Sequence, residues 1–87
     1  MDPDGRRVVL SWRRWHHIRG KHPDLDVPPE AVLSAVETPD ERVAGRGAGE
    51  EWFYRHGAGP SSWVKVIVHY EQGRGLIATA FPRRSFP

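Results

Sequence analysis

The sequence predicts an α+β domain in which two N-terminal helices pack on a four- to five-stranded antiparallel sheet. Three observations carry that prediction. Two short stretches between Ser11 and Thr38 have helical start and stop signals. From Arg42 onward the apolar pattern changes to period two, interrupted by glycine-rich segments. Helices therefore precede a meander, an order that fits α+β and not the alternating units of a parallel sheet.

Val8-Val9-Leu10 is a short apolar run suited to an opening strand. Ser11 can cap a helix by accepting from backbone N–H groups two or three residues on. Trp12 to Arg19 contains no breaker, Trp15 and Ile18 share a face, and Gly20 marks an expected stop. After the connection Lys21 to Asp26, Pro28-Pro29 opens a second helix, with Glu30 at the positive end of its dipole. Ala31, Val32, Leu33, Ala35 and Val36 supply its apolar face, and Thr38-Pro39 ends it.

Arg42 to Ala44 and Glu51 to Arg55 read as strands joined by a hairpin loop at Gly45–Gly49, and residues 57–62 read as a further loop. Trp63 to Tyr70 is the clearest strand. Val64, Val66, Val68 and Tyr70 lie on one face; Trp63, Lys65, Ile67 and His69 lie on the other. A turn within Gln72–Gly75 leads to a last strand, Leu76 to Phe81, on which Ile77, Thr79 and Phe81 alternate. An odd number of turn residues would point Lys65, His69 and Thr79 the same way, and a two-residue turn would separate them. Both registers fit the sequence.

Eighty-seven residues accommodate one domain, 1–87, with irregular ends at 1–6 and 84–87. A core this small relies on large side chains, here Trp12, Trp15, Trp52 and Trp63. No cysteine is present, so neither disulfides nor thiolate metal sites can support the fold, and a reducing, cytoplasmic setting is expected. No apolar run reaches the ~20 residues of a membrane span, and the first residues do not read as a signal peptide. The net charge is a modest +2, but Lys21 and Lys65 are the only lysines among 13 basic residues. That arginine bias points to an anionic partner or to a genome-wide preference.

Five histidines (16, 17, 22, 56 and 69) raise the question of metal binding. There is no H-E-x-x-H spacing, and His17 and His22 cannot share one helix face, so no metal site is expected. Metal-independent RNA cleavage through the 2′-hydroxyl needs only an acid, a base and cations for the phosphorane charge. The chain offers His17, Arg55, Lys65 and Thr79 for that chemistry, with His22 as either a structural or a catalytic residue. Arg14, Tyr54, His69 and Arg83 are candidate substrate-binding residues, Tyr54 as a platform for a base.

Trp15-His16-His17-Ile18 followed by His22-Pro23-Asp24-Leu25 resembles a W-x-H-I…H-P-[DE]-[LM] pattern. At matching intervals come Thr38-Pro39-Asp40, Phe53-Tyr54-Arg55, the valine-rich strand beginning at Lys65, and Thr79-Ala80-Phe81. From Val8 to Arg84 the chain resembles the small phage-associated nucleases of the barnase–EndoU–colicin–RelE-like superfamily. The resemblance implies helices against an antiparallel sheet, RNA as substrate, no cofactor, and a cognate antitoxin or immunity protein as partner. It also implies a toxin-type endoribonuclease in which His17 is a general base or acid. Arg55 and Lys65 would meet phosphate charge, Thr79 would hold the phosphate, and His22 would match the H-P-[DE] histidine. The alternative is a non-catalytic RNA- or protein-binding module of the same fold.

Overall fold

Val8 and Val9 extend into strand β1 (Arg7–Val9), which leads through Leu10 and Ser11 into helix α1 (Trp12–Lys21). Helix α2 (Pro29–Glu37) follows, and then strands β2 (Glu41–Ala44), β3 (Glu50–His56), β4 (Trp63–Glu71) and β5 (Arg74–Arg83). The computed structural model describes residues 1–57 and 62–86. Residues 58–61 of the expected 57–62 loop, and Pro87 of the expected irregular tail, lie outside them.

The sheet is mixed, with strand order β1-β5-β4-β3-β2. The expected all-antiparallel sheet is corrected to a mixed one, and the two helices stand between the opening strand expected at Val8-Val9-Leu10 and the meander. β1 precedes the helices and pairs parallel to β5, Val8 opposite Gly75. Parallel neighbours need a long crossover, and only the β1-to-β5 connection has that length; hairpins make the other pairings antiparallel.

α1 begins as expected, with Ser11 Oγ accepting the Arg14 N–H at 3.1 Å. It runs past Gly20, where the helix surface is open, and stops at His22, which the following Pro23 drives out of helical geometry. α2 has the predicted bounds, with Pro28 as its N-cap and Thr38 as its C-cap.

Both helices cover the same face of the sheet. Trp15 and Ile18 of α1, Leu25 of the connection, and Val32, Ala35 and Val36 of α2 meet Phe53, Val64, Val66, Val68, Ile77 and Ala80. Burying each Val, Ile or Phe side chain in this layer contributes about 1.5–3 kcal/mol.

The β4–β5 turn holds two residues, Gln72 and Gly73, both with positive φ (53° and 82°). This is the twist a two-residue hairpin needs, and glycine takes it without strain. Such a turn alone would put Thr79 on the face away from Lys65. A register shift at Ile67/Val68 leaves Ala78 as an extra residue, so Ile67 faces Thr79 while Val68 faces Ile77. The bulge thus reverses the alternation. Ile77 joins the core, and Thr79 and Phe81 share the face of Lys65.

Residues 1–6 form no helix or strand, but they are tied firmly to the sheet. The Asp2 side chain is buried and accepts the Asp4 and Arg6 N–H groups, Arg6 Nε and the Tyr70 hydroxyl, all at 2.7–2.9 Å. Arg6 and Arg42 each bond Glu51 at 2.7 Å, and Arg42 also bonds Asp4 at 2.7 Å. Arg6 stacks over the Tyr70 ring at 3.7 Å.

Candidate functional site

Strand alternation places Trp52, Tyr54, Trp63, Lys65, Ile67, His69, Thr79 and Phe81 on the sheet face turned away from the helices. A polar cluster occupies this face. It is organised by Glu50, whose Oε1 lies 3.0 Å from His69 Nε2 and whose Oε2 accepts Trp52 Nε1 at 2.7 Å and the Arg46 N–H at 3.0 Å. The Arg46 N–H bond, followed by that from Trp52, holds the Glu50 carboxyl below its usual range. An ionised carboxylate can only accept, so the contact requires the proton on His69 Nε2 and leaves Nδ1 as the acceptor of the neutral ring.

Trp52, held in this way, lies against Lys65. The ammonium Nζ sits 3.5 Å from the Trp52 ring centroid, 5.5 Å from Tyr54 and 5.6 Å from Phe81. Lys65 is 7% exposed and, among the described residues, makes no hydrogen bond or ion pair. Burial pushes its pKa below the usual lysine value; the charges of Arg83 and Arg46 push it the same way, and Glu50 partly offsets them. The ammonium is therefore easier to deprotonate than a surface lysine.

The upper part of this face is aromatic. Tyr54 meets Phe86 edge-on at 4.7 Å and Trp63 at 6.4 Å; His56 meets Trp63 at 4.8 Å. Arg83 stands opposite Trp63 in the β4–β5 ladder, on the same face.

The expected site residues divide. Lys65, Thr79, His69 and Arg83 all lie on the open face, strung along the β4–β5 ladder, whereas Tyr54 on the same face is fully buried and so offers no surface as the expected platform for a base. His22 lies at its rim, its ring 5.2 Å from that of Phe81. Arg14 lines a hollow of about 560 Å³ with Ser11, His69 and Leu76, and so joins the helix to the His69 end of the sheet. His17 stays outside, exposed in a smaller hollow with Ser11, Arg13 and Arg14. Arg55 alternates onto the helix-covered side, where its guanidinium donates to the Thr38 carbonyl at 2.9 Å and to the Thr38 hydroxyl.

Glu50, Arg46 and Phe86 were not among the expected residues. That Glu50 shares a face with Trp52 and Tyr54 follows from alternation. Its pairing with His69 depends on the β3–β4 register, for which no local signal exists. Among the described residues, no group of three or more His, Asp or Glu is arranged to hold a metal ion, and no helix is long and apolar enough to cross a membrane. No protein-family model, curated protein or solved structure matches this chain.

Proposed function

We propose that this chain is a metal-independent endoribonuclease of the barnase–EndoU–colicin–RelE-like kind, and that it works on the open face of the sheet. The observation that carries this reading is the grouping of a carboxylate-oriented histidine (His69 with Glu50) and a buried lysine without a counter-ion (Lys65) beside the half-buried aromatics Trp52, Trp63 and Phe81. Such a face can stack unpaired bases and meet the phosphates between them.

In the proposed step, His69 Nδ1 takes the proton of an RNA 2′-hydroxyl. The 2′-oxygen attacks the adjacent phosphorus, and the bond from phosphorus to the 5′-oxygen breaks. Lys65 donates a proton to that leaving oxygen, giving a cyclic phosphate and a free 5′-hydroxyl. Arg46 and Arg83 supply positive charge for the phosphorane, and Thr79 offers a hydroxyl to a phosphate oxygen. Glu50 is a positioning residue, fixing the imidazole tautomer and the Trp52 ring. His17 and Arg55 take no part in this site. RNA as partner, a protein inhibitor and a cytoplasmic setting belong to the same proposal.

The test is cleavage of varied RNAs in EDTA by wild type, His69→Ala and Lys65→Met, each checked for folding. The expected result is chelator-resistant cleavage that falls by about 10²–10⁴-fold in each variant, the usual contribution of a positioned acid or base. A folded wild type that cuts none of the RNAs overturns the proposal and leaves a binding module as the better reading.

A further inference from the structure

The seat of the Phe86 ring does not match its occupant. Phe86 meets Tyr54 edge-on at 4.7 Å and lies tilted against Trp63 at 5.7 Å, so it is packed as a third aromatic ring on the open face. Beneath it Tyr54 is fully buried, and the Tyr54 hydroxyl has no hydrogen-bond partner among the described residues. Leaving a buried hydroxyl unsatisfied is costly, and native structures seldom do so without a reason. A phenyl ring covers Trp63 only at a 39° tilt and offers nothing to the hydroxyl.

A nucleobase offers both a flat π-face and an edge of donors and acceptors. The surroundings suit the rest of a nucleotide. Arg83 is close enough for its charge to act on both Tyr54 and Lys65. Phosphates flanking a base in this seat would therefore meet cations on the same face.

We propose that the Phe86 seat is a nucleobase subsite, and that Phe86 is an internal competitor which an incoming base displaces to stack on Trp63 and bond the Tyr54 hydroxyl. This inference rests on the ribonuclease reading for its substrate class and adds an element of regulation to the same site. It makes the affinity of the open face for RNA lower than its aromatic surface allows.

The experiment measures binding of short 2′-O-methyl oligonucleotides, which lack the attacking hydroxyl, by fluorescence anisotropy. The proteins are the full chain as wild type, Phe86→Ala, and Phe86→Ala with Tyr54→Phe. Phe86→Leu, which keeps the seat apolar, carries the same test if the alanine variant does not fold. Removing the ring is expected to tighten binding roughly tenfold, within the range contributed by one stacked base. The added Tyr54→Phe change is expected to remove most of that gain. Equal or weaker binding by Phe86→Ala, or a gain that survives Tyr54→Phe, overturns the proposal. The probe cannot be cleaved, so the two readings fail separately. Wild-type cleavage with unchanged Phe86→Ala binding leaves the enzyme and removes the subsite; tight binding without cleavage does the reverse.

Discussion

The two faces of the sheet treat polar groups in opposite ways. On the helix-covered side, at the end beyond α1 and α2, Asp2, Asp4, Glu51, Arg6, Arg42 and Tyr70 form a network in which every charge meets an opposite charge. On the open face Lys65 is buried against aromatic rings without a counter-ion, and the Tyr54 hydroxyl has no partner. The first arrangement stabilises a fold too small to rely on its core alone. The second costs stability, and a group kept at such a cost points to a role outside folding.

Mutation sharpens the contrast because the two faces should respond with opposite sign. The largest stability effect is expected from Asp2→Asn, which leaves Arg6 and the Tyr70 hydroxyl without a charged acceptor. It should lower unfolding free energy by about 2–3 kcal/mol in urea titrations. Lys65→Met is expected to raise stability by roughly 1 kcal/mol while removing function, since relief from burying an ammonium without a counter-ion outweighs the cation–π contact with Trp52 that is lost. Tyr54→Phe removes the orphaned hydroxyl and should be neutral or stabilising by about 0.5 kcal/mol, seen as a slightly higher thermal midpoint. A loss of stability in either of the last two would mean that the open face is satisfied after all.

Dependence on pH separates the faces further. Burial raises the Asp2 pKa, but the Tyr70 hydroxyl bond and the Arg6 contacts outweigh it and hold the carboxyl below its ordinary 3.8. Stability from Asp2 is thus complete above 3.8 and is lost as pH falls through the folded value. Tyr70, pushed up first by burial and then by its bond to Asp2, contributes stability that is lost as pH rises above its ordinary 10.0. Lys65 runs the other way. Its folded pKa lies below the ordinary 10.5, so the unfolded chain holds the proton more tightly and stability rises with pH between the two values. The stability gap between Lys65→Met and wild type should therefore narrow in alkaline buffer, as paired urea titrations across that range would reveal.

Much of the fold was legible because its signals are local. Ser11 and Pro28-Pro29 start the helices where sequence chemistry says they should, and Val64, Val66 and Val68 alternate into the core. What was not legible depends on contacts distant in the chain. Nothing near Val8 announces a parallel partner at Gly75, and nothing near Ala78 announces the bulge that turns Thr79 toward Lys65. Asp2 reads as a solvated terminal residue until Tyr70 and Arg6 are seen around it. At the site, Lys65 stood out as a lysine in an apolar strand. His17 and Arg55 have the right side-chain chemistry, but helix rotation and strand alternation carry them away from the open face.

The most direct test compares the two histidines across the molecule, by cleavage of RNA in EDTA with His69→Ala and His17→Ala, both folded. Chemistry on the open face predicts a loss of at least about 10²-fold for the open-face variant and rates within roughly threefold of wild type for the helix variant. Cleavage that survives in His69→Ala and disappears in His17→Ala would contradict it, moving the chemistry off the open face and onto the outer side of α1.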